Sequence, residues 1–377
     1  MTISYSNIDA SHRAVGTSNN NARVSSGALS VVALIFVLPF LHPHHQAPIS
    51  TFYQEWMTGA LAVLAAGLVL LGFGRRALPV PVFAMVPLVL VGLVGLQLLI
   101  GRVASPQHAA LYIGYLCLAV IGLALGRFLR IALGTERCVS ALAWACLFGA
   151  LASSLIAVLQ LHDLGVEFGI VFPHQGRLTG NLAQSNQFTA YLWFGIVSAV
   201  YLGLVRRVRP AVAVAAVSIL LLISLLSGSR GSVVYALALA AVCTVLRFAH
   251  VIDHRRNGYV LVGVVLYLIA FLFLPAWLRD LGLYSGYTPT ERTSAELNGS
   301  SQRLWIWWLG LQGILSEPVL GIGVAKFPWL AYTFAPWGPA GYDQYVPEHA
   351  HNLFIHLGAE LGVAAPTVAV IGIAYWL

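Results

Sequence analysis

The chain has 377 residues, of which 59% are hydrophobic and only 9% are charged, and its mean hydropathy is +0.83. A soluble fold of this length needs more polar side chains to cover its surface, so the composition excludes a soluble globular protein and predicts several membrane spans. The net charge of +7 is interpreted as a marker of topology and not of a nucleic-acid partner, because Lys and Arg collect on the cytoplasmic side of membrane proteins.

Two further kinds of site are not supported by the sequence. The four cysteines, Cys117, Cys138, Cys146 and Cys243, lie within or at the edges of apolar segments without paired spacing, so neither a disulfide framework nor a thiolate metal site is predicted. The chain also lacks the glycine motifs that bind nucleotide phosphates, which indicates that it does not itself consume ATP.

The apolar runs predict an all-α polytopic membrane protein. Residues 1–27 are rich in Ser and Asn, which predicts a disordered cytoplasmic tail. Ten apolar runs follow, most of them near the ~20 residues that cross a bilayer: 28–41, 57–73, 80–100, 108–126, 138–160, 187–205, 210–227, 232–249, 258–276 and 353–376. The predicted domains are therefore helices one to nine over 28–276, a long outer loop over 277–352 and a tenth helix over 353–377. Because no polar tail follows, we expect the chain to be truncated at its C-terminus.

The distribution of positive charge orients these helices. With the N-terminus inside, 13 of the 20 Lys and Arg residues fall in the tail and in the short inner connections. The other seven are spread over much longer outer segments: Arg102, Arg177, Arg230, Arg279, Arg292, Arg303 and Lys326. Because the short cytoplasmic loops of membrane proteins are enriched in Lys and Arg, this distribution predicts a cytoplasmic N-terminus.

Polar clusters that simple loops do not require all fall on the outer side. They precede helices two, six, eight and ten, whose N-termini point outward in this topology, at 42–56, 176–187, 227–232 and 277–352. The outer loops therefore present positive helix-dipole ends and backbone N–H groups. Trp305, Trp307 and Trp308 in the long loop predict a short interfacial helix at the level of the lipid head groups.

Three outer arginines, Arg177, Arg230 and Arg303, add charge to these helix ends. Arg grips phosphate in bidentate fashion, so the cluster predicts a site for a phosphate or diphosphate. Taken singly, each arginine equally fits a contact with a lipid head group. Arg230 is the most specific of the three, because it lies in a tight hairpin between Gly and Ser residues where little else needs a charge.

The segment over 348–352 supplies a candidate general base. His351 lies at the predicted start of helix ten beside arginines, where the protonated imidazole is disfavoured, and a neutral imidazole accepts a proton from a hydroxyl nucleophile. Asn352 is positioned to orient either His351 or the acceptor. Glu360 lies about 180° around the helix from His351 and four residues after His356, so a structural pairing is predicted for it. His349 has no predicted role.

The histidines of the first outer loop raise a metal alternative. His42, His44 and His45 together with Glu55 are zinc-type ligands. Adjacent histidines, however, rarely bind one ion, and no pair of ligands has helical spacing. No metal is therefore predicted, and these three histidines are left without a role.

Taken in order, the outer motifs resemble those of the bacterial membrane glycosyltransferases grouped with the O-antigen ligases. They are most similar to the protein O-oligosaccharyltransferases that act on pilins and other periplasmic proteins. The matching features are Pro48 with Phe52 and Glu55; Gly176 and Arg177 through Gly180 and Asn181 to Gln184 and Asn186; Ser229, Arg230 and Gly231; Arg303 with Trp305; Pro318 with Gly321 and Gly323; and His351 and Asn352 with Glu360 and Gly362. Any single motif is weak evidence for the resemblance, whereas the whole set in this order is specific. Ser185 departs from the pattern, because the protein-transferring branch usually has proline there.

This resemblance implies a transferase in the bacterial inner membrane, with its active site facing the periplasm. It implies that a preassembled oligosaccharide moves from undecaprenyl diphosphate to a hydroxyl, which belongs to a Ser or Thr of a protein such as a pilin, or to the lipid A core in the ligases. No cofactor is implied, neither a nucleotide sugar nor a metal. The residues carried over are Arg177, Gln184, Asn186, Arg230 and Arg303 for the donor, His351 and Asn352 for catalysis, and Glu55 and Glu360 in support.

Three other kinds of function fit the sequence less well. An O-antigen ligase or an O-antigen polymerase shares the chemistry but not the acceptor, and the Gln184 to Asn186 stretch with the 48–55 pattern favours a protein acceptor. A transporter for a polyanionic lipid would need polar groups along its spans, and the centres of most spans are almost purely apolar. A structural scaffold does not account for three outer arginines and a histidine at helix starts.

Overall fold

The structure is a computed structural model that describes residues 19–45, 50–74, 78–174, 176–250, 253–282, 284, 300–334 and 346–376. All regular secondary structure within these ranges is helical. The helices are α1 (Asn19–Ile35), α2 (Leu38–Leu41), α3 (Phe52–Phe73), α4 (Met85–Leu99), α5 (Pro106–Leu133), α6 (Thr135–Leu161), α7 (Ser185–Leu204), α8 (Pro210–Leu226), α9 (Gly231–Phe248), α10 (His254–Asp280), α11 (Ser300–Ser316), α12 (Phe327–Phe334), α13 (Leu353–Leu361) and α14 (Ala364–Trp376).

The helices confirm an all-α polytopic membrane protein. Among the described residues, eight helical segments are long and apolar enough to cross a membrane. They are Ala22–Leu41, Phe52–Phe73, Val82–Leu99, Pro106–Leu133, Thr135–Leu161, Ser185–Leu204, Gly231–Phe248 and Asn257–Asp280. The two other predicted spans fall on shorter apolar helices, Pro210–Leu226 and Ala364–Tyr375.

Two boundaries differ from those predicted. Helix α1 begins at Asn19, so residues 19–27 of the predicted disordered tail are helical, and residues 1–18 lie outside the described part. The predicted tenth helix is divided in two, because Gly362 has a φ of +80° and ends α13 before α14 begins at Ala364. At this break the N–H of Val363 donates to the Pro318 carbonyl at 2.9 Å, so the long outer loop is joined to the end of α13.

Helix α7 lies at the centre of the largest apolar core, where it packs against α6, α8 and α9. Small residues let these helices approach closely, as is usual where lipid-solvated helices pack. A Cβ added at Gly195 would lie 2.4 Å from the Cβ of Ala150, and one added at Gly203 would lie 2.9 Å from the Cβ of Ala213. Helix α7 is therefore a rigid support for the polar loop that precedes it.

Helices α11 to α14 form a second packed unit, which docks on α4. Trp305, Ile306 and Leu309 of α11 are buried against α12 and α13. A Cβ added at Gly310 would lie 2.4 Å from a side-chain carbon of Ile355, so α11 and α13 are in close contact. Trp305 therefore contributes to a protein core, whereas a position at the lipid head groups was predicted for it.

Ion pairs join loops that the charge distribution assigns to the same side. The Arg102 guanidinium lies 2.5 Å from the Glu317 carboxylate, and both residues belong to predicted outer segments. Arg207 lies 2.9 Å from Glu136, and both belong to predicted inner segments. Each ion pair therefore joins two residues that the charge distribution assigns to the same side of the membrane.

Candidate functional site

The loop that carries Arg177 is held by a buried glutamine of α6. The Gln160 amide donates to the Phe172 carbonyl at 2.8 Å and to the Thr179 hydroxyl at 3.1 Å. Its carbonyl oxygen accepts from the N–H groups of Thr179 at 2.9 Å and Gly180 at 3.1 Å. Because these bonds lie on both sides of half-buried Arg177, they set the path of the loop and the position of this side chain.

Asn181 joins this loop to the first outer loop. Its side-chain amide donates to the carbonyls of Leu41 at 2.8 Å and Ile170 at 2.9 Å, and its side-chain oxygen accepts from the N–H of Phe172 at 2.9 Å. The ring of His45 contacts the Asn181 carbonyl through Nε2 at 2.8 Å and the Ser50 carbonyl through Nδ1 at 2.9 Å. Two loops that are far apart in sequence are thus packed together.

Asn186 is bonded to the turn between α8 and α9, which carries Arg230. The Ser229 hydroxyl donates to the side-chain oxygen of Asn186 at 2.8 Å, and the hydroxyls of Thr189 and Ser227 lie 2.7 Å apart. Arg230 follows Ser229 and is the exposed residue directly before α9. Gln184 is also exposed and precedes the first turn of α7. The 176–187 and 227–232 loops therefore form one polar corner, as predicted.

Glu55 lies in the first turn of α3 and accepts two hydroxyl hydrogen bonds. One comes from Thr51 at 2.5 Å and the other from Tyr115 of α5. The carboxylate therefore fixes the start of α3 against α5. This geometry agrees with a supporting role near the polar corner.

His351 lies just before α13 in a strained backbone conformation. Its φ is +52°, in the left-handed region that residues other than glycine rarely adopt and that clusters at functional sites. Its ring lies 4.2 Å from that of His349, measured between ring centroids. Partial burial, His349 and the Arg303 guanidinium all lower the pKa of His351 from its ordinary value of 6.5. A lowered pKa favours the neutral imidazole at physiological pH, and the predicted role of His351 as a base stays a prediction.

Asn352 is the N-cap residue of α13. Its side-chain oxygen accepts from the N–H groups of Phe354 at 3.1 Å and Ile355 at 3.3 Å. These bonds satisfy backbone donors that the first turn of a helix leaves without partners. The structure therefore gives Asn352 the task of anchoring α13 directly behind His351, and its predicted orienting role in catalysis stays a prediction.

Glu360 is buried and structural, as predicted. Its carboxylate lies 3.6 Å from Nε2 of His356 and accepts from the N–H of Phe327 at 3.1 Å. Phe327 is the first residue of α12, so the carboxylate caps that helix from a neighbouring helix. Glu360 thus supports the site by holding α12 on α13, and His356 is its partner.

Three motif glycines are explained by close backbone contacts. A Cβ at Gly321 would lie 2.3 Å from the Glu360 carbonyl oxygen, one at Gly323 would lie 1.9 Å from the Arg102 carbonyl oxygen, and one at Gly362 would lie 2.2 Å from the Val319 carbonyl oxygen. All three have positive φ, at +69°, +112° and +80°. Only glycine fits these positions, and together they press the long outer loop onto the end of α13.

Gln97, for which the sequence motifs predicted no role, links α4 to this loop. Gln97 is 1% exposed. Its amide donates to the carbonyls of Leu320 at 2.5 Å and Glu360 at 2.7 Å, and its oxygen accepts from the N–H of Val324 at 3.0 Å. A signal was present, because a lone amide within a long apolar run needs a partner at membrane depth. Gln160 carries the same signal and was missed in the same way.

No group of three or more His, Cys, Asp or Glu side chains within the described ranges is arranged to hold a metal ion. His45 uses both ring nitrogens for contacts with carbonyl oxygens. The histidines of the first outer loop therefore include one with a structural task.

The predicted site residues fall into two groups on two rigid supports. Arg177, Gln184, Asn186 and Arg230 are carried by the loops around α6 to α9, and Glu55 adjoins them through the first outer loop. Arg303, His351, Asn352 and Glu360 are carried by α11 and α13. The fold is that of a multi-pass membrane protein in which these polar and charged residues lie at or near the starts of helices.

Comparison with known proteins bears on the class. Residues 215–369 match the family described as O-antigen ligase, which confirms the predicted resemblance. The matched range includes Arg230, Arg303 and His351, whereas Arg177 and Asn186 lie before it.

Two curated relatives cover more of the chain. It is 26% identical over 304 residues to the general O-oligosaccharyltransferase of Acinetobacter baylyi (strain ATCC 33305 / BD413 / ADP1), covering 78% of this chain and 52% of the relative. It is 23% identical over 344 residues to the ComP-specific O-oligosaccharyltransferase of the same strain, covering 87% of this chain and 58% of the relative. The chain spans about half the length of these curated relatives.

Proposed function

We propose that the protein transfers a preassembled oligosaccharide from undecaprenyl diphosphate to Ser or Thr hydroxyls of periplasmic proteins such as pilins. The observation that carries this proposal is the strained backbone of His351 at the start of α13, on a chain similar to two O-oligosaccharyltransferases, and the Arg303 charge contributes to the lowered pKa of this histidine. The proposed location is the bacterial inner membrane, with the site on the periplasmic side. This orientation follows from the charge distribution, which assigns both groups of site residues to outer segments.

The proposed reaction begins with the acceptor hydroxyl near His351. Nε2 or Nδ1 of the neutral imidazole takes the hydroxyl proton while the hydroxyl oxygen forms a bond to the anomeric carbon of the glycan. At the same time, the bond between the anomeric carbon and the diphosphate oxygen breaks, and undecaprenyl diphosphate leaves with the electron pair. Arg177, Arg230 and Arg303 stabilise the negative charge that develops on the leaving group.

Neutral imidazole is needed because a protonated His351 has no lone pair to accept the proton. Burial, His349 and Arg303 lower the pKa of His351 below 6.5, so the neutral form dominates at pH 7. His351 has a left-handed backbone and directly precedes Asn352, whose side chain caps α13. The protein therefore supplies a positioned base and a cationic cradle.

The proposal is tested by His351→Ala in cells that make a lipid-linked glycan and a candidate pilin. Loss of a general base reduces such reactions by about 100-fold to 10,000-fold, so the glycosylated pilin mass is expected to disappear. His162→Ala is the matched control, because His162 is an exposed histidine at the end of α6 outside both groups. Equal amounts of both variants in the membrane show that folding is unaffected. Normal glycosylation by His351→Ala would exclude His351 as the base.

A second candidate is transfer to the lipid A core. The description of the matched family as O-antigen ligase favours it. The two functions share the donor and differ in the acceptor, so one strain that offers both a pilin and an incomplete lipid A core distinguishes them. If glycan were found only on lipopolysaccharide, the acceptor would be the lipid A core and not a protein.

A further inference from the structure

A cavity of about 230 Å³ lies under the first outer loop, beside the polar corner. It is bordered by α2, the start of α3, the outer half of α5 and the first turn of α7. Its polar lining comes from His45, Thr51, Gln54, Glu55, Thr58, Tyr115 and Gln187. Phe40, Leu118 and Leu182 line the remaining wall. We refer to it as the first-loop cavity.

A buried oxygen in this lining points to a ligand. Oε1 of Gln54 is buried and has no hydrogen-bond partner among the described residues. Its orientation is set by the other end of the amide, since Nε2 donates to the His42 carbonyl at 3.2 Å and a carbonyl can only accept. Buried acceptors without a donor are uncommon in folded proteins, because their lost hydration is not replaced. A donor supplied by a bound molecule would satisfy Gln54.

The other lining groups favour the same chemistry. The Glu55 carboxylate accepts from Thr51 and Tyr115 and has about four lone-pair sites, so it can accept further hydrogen bonds. The side-chain oxygens of Gln54 and Glu55 thus line one cavity, and the Glu55 carboxylate is negatively charged. These acceptors repel a phosphate and attract hydroxyl donors. Taking about 30 Å³ per water molecule, the cavity holds roughly eight waters, which is the scale of a single sugar ring. Phe40 offers an apolar surface for the C–H face of such a ring.

The location connects this cavity to the proposed donor. Gln187 lines it, and the preceding residue, Asn186, accepts from Ser229 next to Arg230. Through these two neighbouring residues of α7, the cavity adjoins the turn that carries Arg230. We propose that the first-loop cavity binds the sugar ring that is bonded directly to the diphosphate, with Gln54 and Glu55 accepting its hydroxyls. This inference rests on the proposed function, and it makes Gln54 and Glu55 the residues that select the first sugar of the glycan.

The test compares two ligands that differ only in the sugar. Farnesyl diphosphate and N-acetylglucosaminyl farnesyl diphosphate are titrated into the detergent-solubilised protein, and the ratio of their Kd values isolates the contribution of the sugar. We expect the wild-type protein to bind the sugar-bearing ligand at least tenfold more tightly. Gln54→Leu should reduce this ratio about tenfold while leaving the Kd of farnesyl diphosphate unchanged.

Matched variants separate the site from a folding defect. Gln107→Leu makes the same change at an exposed position in the first turn of α5 and should keep the wild-type ratio. Glu55→Gln keeps the shape of the side chain and an acceptor for Tyr115 but removes the charge, and it should also reduce the ratio. It serves as the test variant if Gln54→Leu does not fold.

The outcomes distinguish this inference from the proposed function. If the wild-type protein binds neither ligand, the proposed donor itself is refuted. If it binds both ligands equally, or if Gln54→Leu and Glu55→Gln keep the wild-type ratio, the sugar site is refuted and binding of the diphosphate stands.

Discussion

Replacement of Gly321 by alanine tests whether the long outer loop sets the geometry of the site. The added Cβ would lie 2.3 Å from the Glu360 carbonyl oxygen, about 1.1 Å inside the 3.4 Å at which ordinary contact begins. The loop and α13 must therefore separate by about 1 Å. Two hydrogen bonds span this contact, from the N–H of Ile322 to the Ala359 carbonyl at 2.8 Å and from the N–H of Gly323 to the Glu360 carbonyl at 3.1 Å.

The expected magnitude follows from these contacts. Separation by about 1 Å breaks both hydrogen bonds, each of which contributes about 1 kcal/mol. A φ of +69° costs an alanine about 1–2 kcal/mol more. Gly321→Ala should therefore destabilise the protein by about 3–4 kcal/mol. A misplacement of about 1 Å lowers catalytic rates by roughly 100-fold, and because the loop carries α11, transfer should fall by that factor.

Gly101→Ala is the matched control, because Gly101 has nearly the same φ, +70°, and no atom within 4 Å of the added Cβ. Only the backbone cost of about 1–2 kcal/mol applies to it. The assay compares the apparent melting temperature of each solubilised variant and its glycan transfer to the acceptor. If Gly321→Ala melted and transferred glycan like Gly101→Ala, the proposed anchoring of α13 by the loop would be wrong.

Two further predictions concern the arginines. Arg303→Gln removes one cause of the lowered pKa of His351. The acid limb of the pH profile of kcat/KM should therefore move upward toward pH 6.5, because a base with a higher pKa loses its proton only at higher pH. An acid limb that did not move would show that Arg303 does not influence the pKa of His351. Arg230→Ala should raise the KM for the donor more than Arg230→Lys does, since lysine keeps the charge but loses the bidentate fork. Equal effects of the two substitutions would argue against a diphosphate at Arg230.

The role proposed for His351 rests on local features that are visible in the sequence. A histidine at the start of an apolar helix, on the outer side and near arginines, is expected to be neutral, and the lowered pKa of His351 has the same direction. The pairing of Glu360 with His356 was also predictable, since residues four apart share one face of a helix. Both inferences needed only the period of an α-helix and the sign of nearby charges.

The break in the tenth helix was not predictable from hydropathy alone. The run over 353–376 is continuously apolar apart from His356 and Glu360, so it predicted one helix. The helix ends at Leu361 because Gly362 lies against the Val319 carbonyl and the N–H of Val363 bonds to Pro318. These partners come from another loop, and no local pattern specifies them.

The sequence by itself determined that this protein is helical, spans the membrane repeatedly and concentrates its polar motifs in a few loops. Run length and charge bias are properties of contiguous residues, so they can be read without a fold. Only the tertiary structure decided what holds those motifs in place. Gln97 bonds to Leu320, 223 residues away, and Asn181 bonds to Leu41, 140 residues away. Such bonds form because lone buried amides must find partners, and the packing of distant helices selects which ones they find.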